Sequence, residues 1–329
     1  MKTLAVVGGG SWGTALVIAL AARFDRIRLW AREADRAAEM QARRENQRYL
    51  PGFRLPSHCV ISPHIGEIVT GAEFVLCAVP SAHVREVFER ARPHLSDSAT
   101  VVSATKGLEE HTFSRMSQVL CEIAGKRPVA VLSGPTFAKE IAAGEPAAVV
   151  IACACPEAAE RIQNAFATPT LRLYQSHDVV GVETGAALKN VIALGAGVCR
   201  GLGLGSNSVA ALVTRGLAEI TRLAVALGGS ARTLSGLAGL GDLVLTATGD
   251  LSRNRYVGIQ LGEGHKLRHI ISTMTMVAEG VATCKAAHQL AAAHGVNMPI
   301  IDRVYEILYE DKDPRAAIRE LMERPLTAE

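Results

Sequence analysis

The stretch Gly8-Gly9-Gly10-Ser11-Trp12-Gly13 follows a short apolar run and opens a segment with helical periodicity. A strand, a turn with the spacing Gly-x-Gly-x-x-Gly and a helix, in that order, are typical of the phosphate-binding start of a Rossmann fold. We expect Gly8 to permit the tight turn, Gly10 to let the backbone approach a pyrophosphate, and Gly13 to let the helix pack on the strand. The N–H groups at the helix start would bind the phosphates. Two side chains on this turn should border the dinucleotide: Ser11 and Trp12.

The N-terminal half of the chain alternates short apolar runs with helical segments. The predicted strands cover residues 4–7, 27–30, 74–79, 100–103, 129–133, 147–152 and 170–174. Continuous apolar strands that alternate with helices indicate the α/β class. The sequence therefore predicts a Rossmann-type, doubly wound, mostly parallel sheet that is covered on both faces.

The pattern changes after about residue 181, where strand candidates nearly vanish. Long segments rich in Ala, Leu and Gly follow, and the predicted helices cover residues 182–199, 208–226, 253–261, 283–293 and 302–309. This pattern predicts a second, all-helical domain. We expect a dinucleotide-binding domain at residues 1–180 and a helical substrate and catalytic domain at residues 181–329.

The composition limits the class of protein. A chain of 329 residues suits two domains, and 35 Lys and Arg against 32 Asp and Glu give a formal net charge of only +3. Without a basic run we expect no nucleic-acid partner. The start of the chain runs straight into glycines, and no uninterrupted apolar stretch reaches transmembrane length, so we expect a cytoplasmic protein without membrane insertion. Most of the seven cysteines lie in apolar runs, which favours buried thiols over a metal site.

The end of the second predicted strand bears on the choice of cofactor. An NAD-preferring site usually has an acidic residue there, which accepts a hydrogen bond from the ribose 2′-hydroxyl. Arg32 instead offers a cation for a 2′-phosphate, so we favour NADP(H), with NAD(H) as the alternative. In that alternative Arg32 is a solvated surface charge and Glu33 takes the acidic role. Tyr49 is a candidate for packing near the adenine, or else an ordinary surface or core aromatic.

Two turns follow predicted strands at the edge where open α/β sheets bind ligands. Lys106 lies in the first turn, where a lysine polarises a carbonyl or contacts a cofactor, unless it is an exposed loop residue. The second turn contains Gly134 and Thr136, and its small residues would let the backbone reach a ligand.

Lys189 lies on a helical segment whose same face carries only small or apolar residues at i±3, i±4 and i±7. A buried, unpaired lysine is costly, and burial lowers its pKa towards neutrality, as a proton-transfer group requires. The neighbouring Asn190 would orient a substrate. The alternative is a lysine whose ammonium reaches the edge of a crevice.

Polar residues in the helical half complete the candidate site. Asp242 is the one acid in an apolar, glycine-rich turn, where it would pair with Lys189, bind a substrate hydroxyl or cap a helix. Ser252, Arg253 and Asn254 stand at a predicted helix start, a good setting for a phosphate. A capped helix with solvated arginines is an equal alternative for that stretch.

Several of these stretches, taken in order, strongly resemble bacterial NAD(P)-dependent glycerol-3-phosphate dehydrogenases. The matching stretches are Ala-Thr-Lys-Gly-Leu-Glu at 104–109, Leu-Ser-Gly-Pro-Thr-Phe-Ala-Lys-Glu at 132–140, Ala-Leu-Lys-Asn-Val-Ile-Ala at 187–193, Gly-Leu-Gly-Asp-Leu at 239–243 and Ser-Arg-Asn at 252–254. The resemblance spans nearly the whole chain. It implies reduction of dihydroxyacetone phosphate to sn-glycerol 3-phosphate, which supplies glycerophospholipid synthesis, by a cytosolic and often dimeric enzyme.

The resemblance also implies roles for individual residues. It makes Lys189 the proton donor and acceptor and Lys106 a contact to both substrate and cofactor. The implied substrate residues are Gly134, Thr136, Asp242, Ser252, Arg253 and Asn254. The implied cofactor residues are Ser11, Trp12, Arg32, Tyr49, Ala138, Arg253, Val277 and Glu279. Val277 and Glu279 rest on the resemblance alone.

The resulting hypothesis is a hydride transfer from NADPH to the C2 carbonyl, with Lys189 protonating the developing alkoxide and Lys106 adding positive field. Arg253 and Asn254 would hold the phosphate and thereby position the carbonyl. Two alternatives are a related Rossmann-plus-helical dehydrogenase acting on a hydroxy acid, and a non-catalytic NADP-binding sensor. A sensor needs no buried proton donor, so Lys189 argues against it.

Overall fold

A computed structural model describes residues 2–274 and 276–326. The strands of this part of the chain are β1 Thr3–Val7, β2 Arg26–Trp30, β3 Glu45–Asn46, β4 Leu50–Arg54, β5 Cys59–Ser62, β6 Phe74–Cys77, β7 Thr100–Ser103, β8 Val129–Ser133, β9 Ala147–Cys153 and β10 Leu171–Ser176. Eight of them form one sheet in the order β10-β9-β8-β7-β6-β1-β2-β5. Its neighbouring strands are parallel except β8 and β9, which are antiparallel. The predicted α/β fold with a mostly parallel sheet is confirmed.

Helices flank the sheet and form the whole regular structure of the described residues after β10. They are α1 Ser11–Ala19, α2 Ala34–Arg43, α3 Ile65–Val69, α4 Val84–Ala91, α5 Met116–Ala124, α6 Ala138–Ala143, α7 Pro156–Phe166, α8 Val179–Gly201, α9 Ser206–Ala226, α10 Ala231–Leu234, α11 Asp242–Thr248, α12 Arg253–Gly262, α13 Leu267–Thr273, α14 Glu279–Ala293, α15 Pro299–Tyr309 and α16 Pro314–Met322. A π-helical turn at Leu237–Gly241 leads directly into α11. The predicted all-helical second half is therefore confirmed.

Some elements differ from the sequence-based expectation. The sequence does not predict β5, a four-residue edge strand whose Val60 faces solvent. It also misses the two-stranded hairpin of β3 and β4, because β4 contains Pro51 and Gly52, which are turn signals. The helix expected after the glycine-rich turn begins within that turn, at Ser11, and ends at Ala19.

The central strands explain why the sheet forms. Every residue of β1 is buried, as expected for a strand covered on both faces. On one face the rings of Phe24, Phe74 and Phe166 pack edge to face, with centroids 5.5–5.9 Å apart. These are three of the 14 aromatic residues in a chain that is only 4% aromatic. This packing stabilises the sheet, so the carboxyl ends of its strands form a rigid support for the loops that follow them.

The helix α8 is the centre of the second half. By length and composition it is apolar enough to cross a membrane, although Glu183 and Lys189 interrupt its apolar residues, and 89% of its most apolar stretch is buried inside the protein. That burial is the behaviour of a core helix in a soluble protein.

The cysteines also differ in part from expectation, since five are buried but Cys155 is half-buried and Cys121 lies exposed on α5.

Glycines allow α8 and α12 to approach each other closely. A Cβ atom at Gly258 of α12 would overlap the carbonyl oxygen of Leu194, and one at Gly197 of α8 would overlap that of Arg255. The two backbones are therefore in direct contact. This contact fixes the beginning of α12 beside the middle of α8, where Lys189 lies.

We predict that Gly258→Ala lowers the free energy of unfolding by about 1–3 kcal/mol, because a methyl group at this contact forces two helices apart. Urea unfolding followed by circular dichroism measures the change. Gly205→Ala is the matched control, since a Cβ atom there meets nothing within 4 Å. Equal effects of the two substitutions would contradict this account of the contact.

Candidate active site

The glycine-rich turn between β1 and α1 has the geometry of an anion cradle. Gly8 has φ of +131°, and a Cβ atom there would lie 2.5 Å from the carbonyl oxygen of Ala78. A Cβ atom at Gly13 would overlap the carbonyl of Gly8, whereas one at Gly10 would meet nothing within 4 Å. Gly10 is the N-cap of α1, and no side-chain hydrogen bond caps the start of the helix. These features fit the pyrophosphate of a dinucleotide.

The indole of Trp12 connects this cradle to the loop of Lys106. Its Nε1 donates a hydrogen bond to the carbonyl of Ala104 at 3.1 Å. Trp12 and Ala138, the first residue of α6, pack against the same hydrophobic core, and Ser11 is the first residue of α1. The helices that begin with these predicted cofactor residues, α1 and α6, pack against each other.

A second group of predicted cofactor residues lies after β2. Arg32 is 66% exposed, and its guanidinium is 3.8 Å from the carboxylate of Glu33. Tyr49 is half-buried, and its hydroxyl accepts a hydrogen bond from Arg36 at 3.1 Å. The sequence pattern does not single out Arg36, because it lies inside α2 and looks like an ordinary surface charge.

Asp242 joins the two predicted site lysines. It is the first residue of α11 and is fully buried. One carboxylate oxygen accepts a hydrogen bond from the ammonium of Lys106 at 2.7 Å, and the other accepts one from the ammonium of Lys189. Of the roles that the sequence leaves open for Asp242, the pairing with Lys189 is observed, and Asp242 does not serve as the N-cap of its helix, a position held by Gly241.

Lys189 is only 5% exposed, so it does not reach out of a crevice as the alternative supposed. Burial lowers its pKa, the carboxylate of Asp242 raises it, and the nearby charge of Lys106 lowers it, so that the pKa of Lys189 falls to about 7. Its ammonium also donates a hydrogen bond to the hydroxyl of Thr246 at 2.7 Å. The group is therefore poised to exchange a proton near neutral pH.

The turn after β8 lies against the same cluster. The ammonium of Lys106 donates a hydrogen bond to the carbonyl of Gly134 at 3.0 Å, and the hydroxyl of Thr136 donates to that carbonyl at 3.2 Å. Gly134 has φ of +146°, and a Cβ atom there would lie 3.0 Å from the Cα of Val149. Only glycine fits this turn, which brings backbone and small side chains to the ammonium.

The start of α12 meets α8 through two amides. The side chain of Asn254 donates a hydrogen bond to that of Asn190 at 2.9 Å and accepts one from the N–H of Gly280 at 3.0 Å. Ser252 caps α12 by accepting from the N–H of Arg255 at 3.2 Å. The helix start expected at this stretch is confirmed, and it lies beside Lys189 on α8.

Residues near the start of α14 approach the sheet. The carbonyl of Val277 accepts a hydrogen bond from the exposed guanidinium of Arg253 at 3.0 Å. The carboxylate of Glu279 accepts one from the hydroxyl of Ser81 at 2.6 Å, and burial raises its pKa above the usual range. A Cβ atom at Gly107 would lie 3.3 Å from this carboxylate. Glu279 thus borders the loop of Lys106, and no local pattern reveals this.

Glu183 is a buried carboxylate that sequence reasoning missed. It lies on α8 and accepts hydrogen bonds from the guanidinium of Arg115 and from the N–H of Ser117, each at 2.8 Å, and one from the Ser117 hydroxyl. Burial raises its pKa, and these partners oppose the shift. Since Arg115 pairs with Leu108 across the loop, Glu183 ties the loop of Lys106 to the helix of Lys189.

We predict that Glu183→Ala lowers the free energy of unfolding by about 3–5 kcal/mol, because it leaves the guanidinium of Arg115 without its buried partner. Glu122→Ala is the matched control, since Glu122 forms an exposed ion pair with Arg85 and should cost about 0–1 kcal/mol. Urea unfolding of both variants measures the difference. A loss of unfolding free energy no larger than in the control would contradict the proposed role of Glu183 in holding the loop of Lys106 against α8.

A glycine-rich turn suited to a dinucleotide, together with a buried lysine of lowered pKa, is the arrangement of a nicotinamide-dependent dehydrogenase. Comparison with known families agrees. A model of the NAD-dependent glycerol-3-phosphate dehydrogenase N-terminus matches residues 3–159, and a model of the C-terminus of the same family matches residues 178–319. The chain belongs to this family, as the resemblance of its motifs predicted.

Relatives match over essentially the whole chain. A glycerol-3-phosphate dehydrogenase [NAD(P)+] of Koribacter versatilis is 52% identical, with 100% of this chain and 99% of that protein covered, and one of Citrifermentans bemidjiense is 49% identical with the same coverage. The crystal structure of a glycerol-3-phosphate dehydrogenase from Coxiella burnetii has a TM-score of 0.94 at 39% identity and covers 98% of this chain and 99% of its own.

Proposed function

We propose that this enzyme reversibly reduces dihydroxyacetone phosphate to sn-glycerol 3-phosphate with NAD(P)H, and that it favours NADP(H). The observation that carries the proposal is the buried ammonium of Lys189, which is held by Asp242 beside a second cation, Lys106. A side-by-side assay of NADPH and NADH oxidation, with dihydroxyacetone phosphate and a panel of keto acids, tests it. Turnover with keto acids alone would favour a hydroxy-acid dehydrogenase, and tight NADPH binding without any turnover would favour a sensor.

The nicotinamide cofactor, when bound, supplies the hydride. Lys189, as the ammonium, then protonates the oxygen that develops negative charge at C2, and in the reverse direction the neutral amine removes the hydroxyl proton. Lys106 adds positive field at that oxygen. Asp242 holds both ammonium groups in place, and the hydroxyl of Thr246 fixes the direction of the Lys189 amine.

Substrate recognition in this proposal rests on the start of α12. Arg253 and Asn254 take the phosphate, at a helix start where backbone N–H groups and the guanidinium favour an anion. The remaining substrate contacts are Gly134, Thr136 and Ser252. The phosphate thereby supplies binding energy remote from the carbonyl and positions C2 for reaction.

Cofactor recognition in this proposal rests on the glycine-rich turn and on the residues after β2. Gly8, Gly10 and Gly13 shape the turn for the pyrophosphate, and Arg32 offers a charge for a 2′-phosphate. The other residues assigned to the cofactor are Ser11, Trp12, Tyr49, Lys106, Ala138, Arg253, Val277 and Glu279. We assign no metal to the reaction.

Several further expectations stay predictions. The dinucleotide-binding part is assigned to residues 1–180 and the helical catalytic part to residues 181–329, which places the division in the first turn of α8. A homodimer in the cytoplasm, with no nucleic-acid partner and no membrane insertion, is the expected state. The product would feed glycerophospholipid synthesis.

We predict that Lys189→Met lowers turnover by about 10²- to 10⁴-fold, because the reaction loses its general acid and base, while NADPH affinity stays within a few-fold. Steady-state assays with dihydroxyacetone phosphate and fluorescence titration with NADPH measure the two quantities. Lys285→Met is the control, since Lys285 is exposed and its ammonium lies 3.9 Å from Glu110. Near-normal turnover of Lys189→Met would refute the assignment.

The lowered pKa of Lys189 predicts opposite pH profiles for the two directions. Reduction needs the ammonium and should decline as the pH rises above about 7, whereas oxidation needs the neutral amine and should increase through the same range. Because the charge of Lys106 lowers this pKa, Lys106→Met should move both midpoints to higher pH. The pH dependence of kcat/KM in both directions measures the shift, and unchanged midpoints in Lys106→Met would contradict this account.

A further inference from the structure

The residues after β2 and the residues before β4 form one ionic group beside the glycine-rich turn. Ala31 contacts the turn directly, since a Cβ atom at Gly9 would lie 3.0 Å from the Cβ of Ala31. From the other side, the amide of Asn46 donates hydrogen bonds to the carbonyl of Gly9 at 3.0 Å and to the hydroxyl of Thr14 at 2.8 Å. Asn46 in turn accepts a hydrogen bond from the N–H of Tyr49 at 3.3 Å. Both segments are therefore positioned by the same turn.

Arg36 occupies the middle of this group. Its guanidinium donates one hydrogen bond to the hydroxyl of Tyr49 at 3.1 Å and another to the carboxylate of Glu33 at 2.6 Å, and it lies 4.9 Å from the centre of the Tyr49 ring. The side chain is only 14% exposed, whereas that of Arg32 is 66% exposed. Arg36 is therefore held in one place, and Arg32 is not. A guanidinium has five N–H donors, so Arg36 keeps donors for a ligand.

Glu33 is the group that would favour NAD(H), because a carboxylate at this position accepts a hydrogen bond from the ribose 2′-hydroxyl. Its carboxylate is instead paired with Arg36 and lies 3.8 Å from Arg32. A third guanidinium, that of Arg48, lies 5.5 Å from the centre of the Tyr49 ring. Two guanidinium groups thus lie at one carboxylate and a third lies at the Tyr49 ring, which gives the group an excess of positive charge that suits a phosphate.

We propose that Arg36 is the residue that determines cofactor preference: it binds the 2′-phosphate of NADP(H) and keeps Glu33 from accepting the 2′-hydroxyl of NAD(H). This inference rests on the proposed function, which requires a nicotinamide dinucleotide at the glycine-rich turn. It assigns to a fixed guanidinium the role that the sequence pattern gives to Arg32, whose charge is exposed and screened by solvent.

The test compares two fragments that differ only in the 2′-phosphate, adenosine 2′,5′-bisphosphate and 5′-AMP, by calorimetric titration of the full chain. Arg36→Gln should weaken binding of the bisphosphate by about 10- to 100-fold, the effect of losing a charge-assisted hydrogen bond, and leave 5′-AMP nearly unchanged. Arg32→Gln should weaken it less. Arg43→Gln is the matched control, since Arg43 carries the same charge on the same helix and pairs with Glu39 at 3.4 Å.

Two outcomes overturn the proposal: a bisphosphate affinity in Arg36→Gln equal to that in Arg43→Gln, or an equal loss for both fragments, which would indicate a structural role. If Arg36→Gln does not fold, Glu33→Gln decides, since removing this negative charge should tighten bisphosphate binding, and an unchanged affinity overturns the proposal. A turnover assay distinguishes a failure of this inference from a failure of the proposed function. An active enzyme whose Arg36→Gln variant distinguishes the fragments as strongly as the unsubstituted enzyme contradicts this inference alone, whereas absence of dihydroxyacetone phosphate reduction contradicts the proposed function alone.

Discussion

The carboxylate of Asp242 between two ammonium groups is the interaction on which the rest of the site depends. A fully buried carboxylate is tolerated only where opposite charges satisfy it, and Lys106 and Lys189 do so from different parts of the chain. Lys106 follows a strand of the sheet, and Lys189 lies in the middle of α8. The pairing therefore connects the sheet to the helices at the place where the chemistry is proposed. It also limits how far burial lowers the pKa of Lys189.

The helices and loops packed around α8 hold the side chains of this pairing in fixed relative positions. Its glycine contact with α12 holds Asn254 against Asn190, so a phosphate at the start of α12 would lie at a fixed distance from the lysine one residue away. Glu183, two turns earlier on the same helix, holds the end of the Lys106 loop through Arg115. One buried helix therefore positions Lys189, the loop of Lys106 and the start of α12, where the phosphate site is proposed.

The sequence predicts the parts of this molecule that rest on local patterns. The glycine spacing, the alternating strands and the apolar face around Lys189 each follow from a periodicity or a turn, and each is found in the structure. The contacts of Glu183 with Arg115 and of Glu279 with Ser81 join residues 68 and 198 positions apart. No local pattern encodes such pairs, so only the family resemblance implicates Val277 and Glu279. The edge strand β5 was missed for a related reason, because its four residues are stabilised by pairing with β2.

Local sequence patterns are limited in the same way when they are used to interpret the charged residues after β2. A sequence pattern identifies an arginine by its position, and position favours Arg32, the first cation after the strand. Electrostatic effect depends instead on how firmly a charge is held and how far solvent screens it. Arg36 is fixed by a tyrosine hydroxyl and a carboxylate, and the partner that it neutralises is the acceptor that the competing cofactor would use. Preference between two cofactors is a difference of affinities, so a residue that strengthens one and blocks the other outweighs a solvated charge nearer the strand.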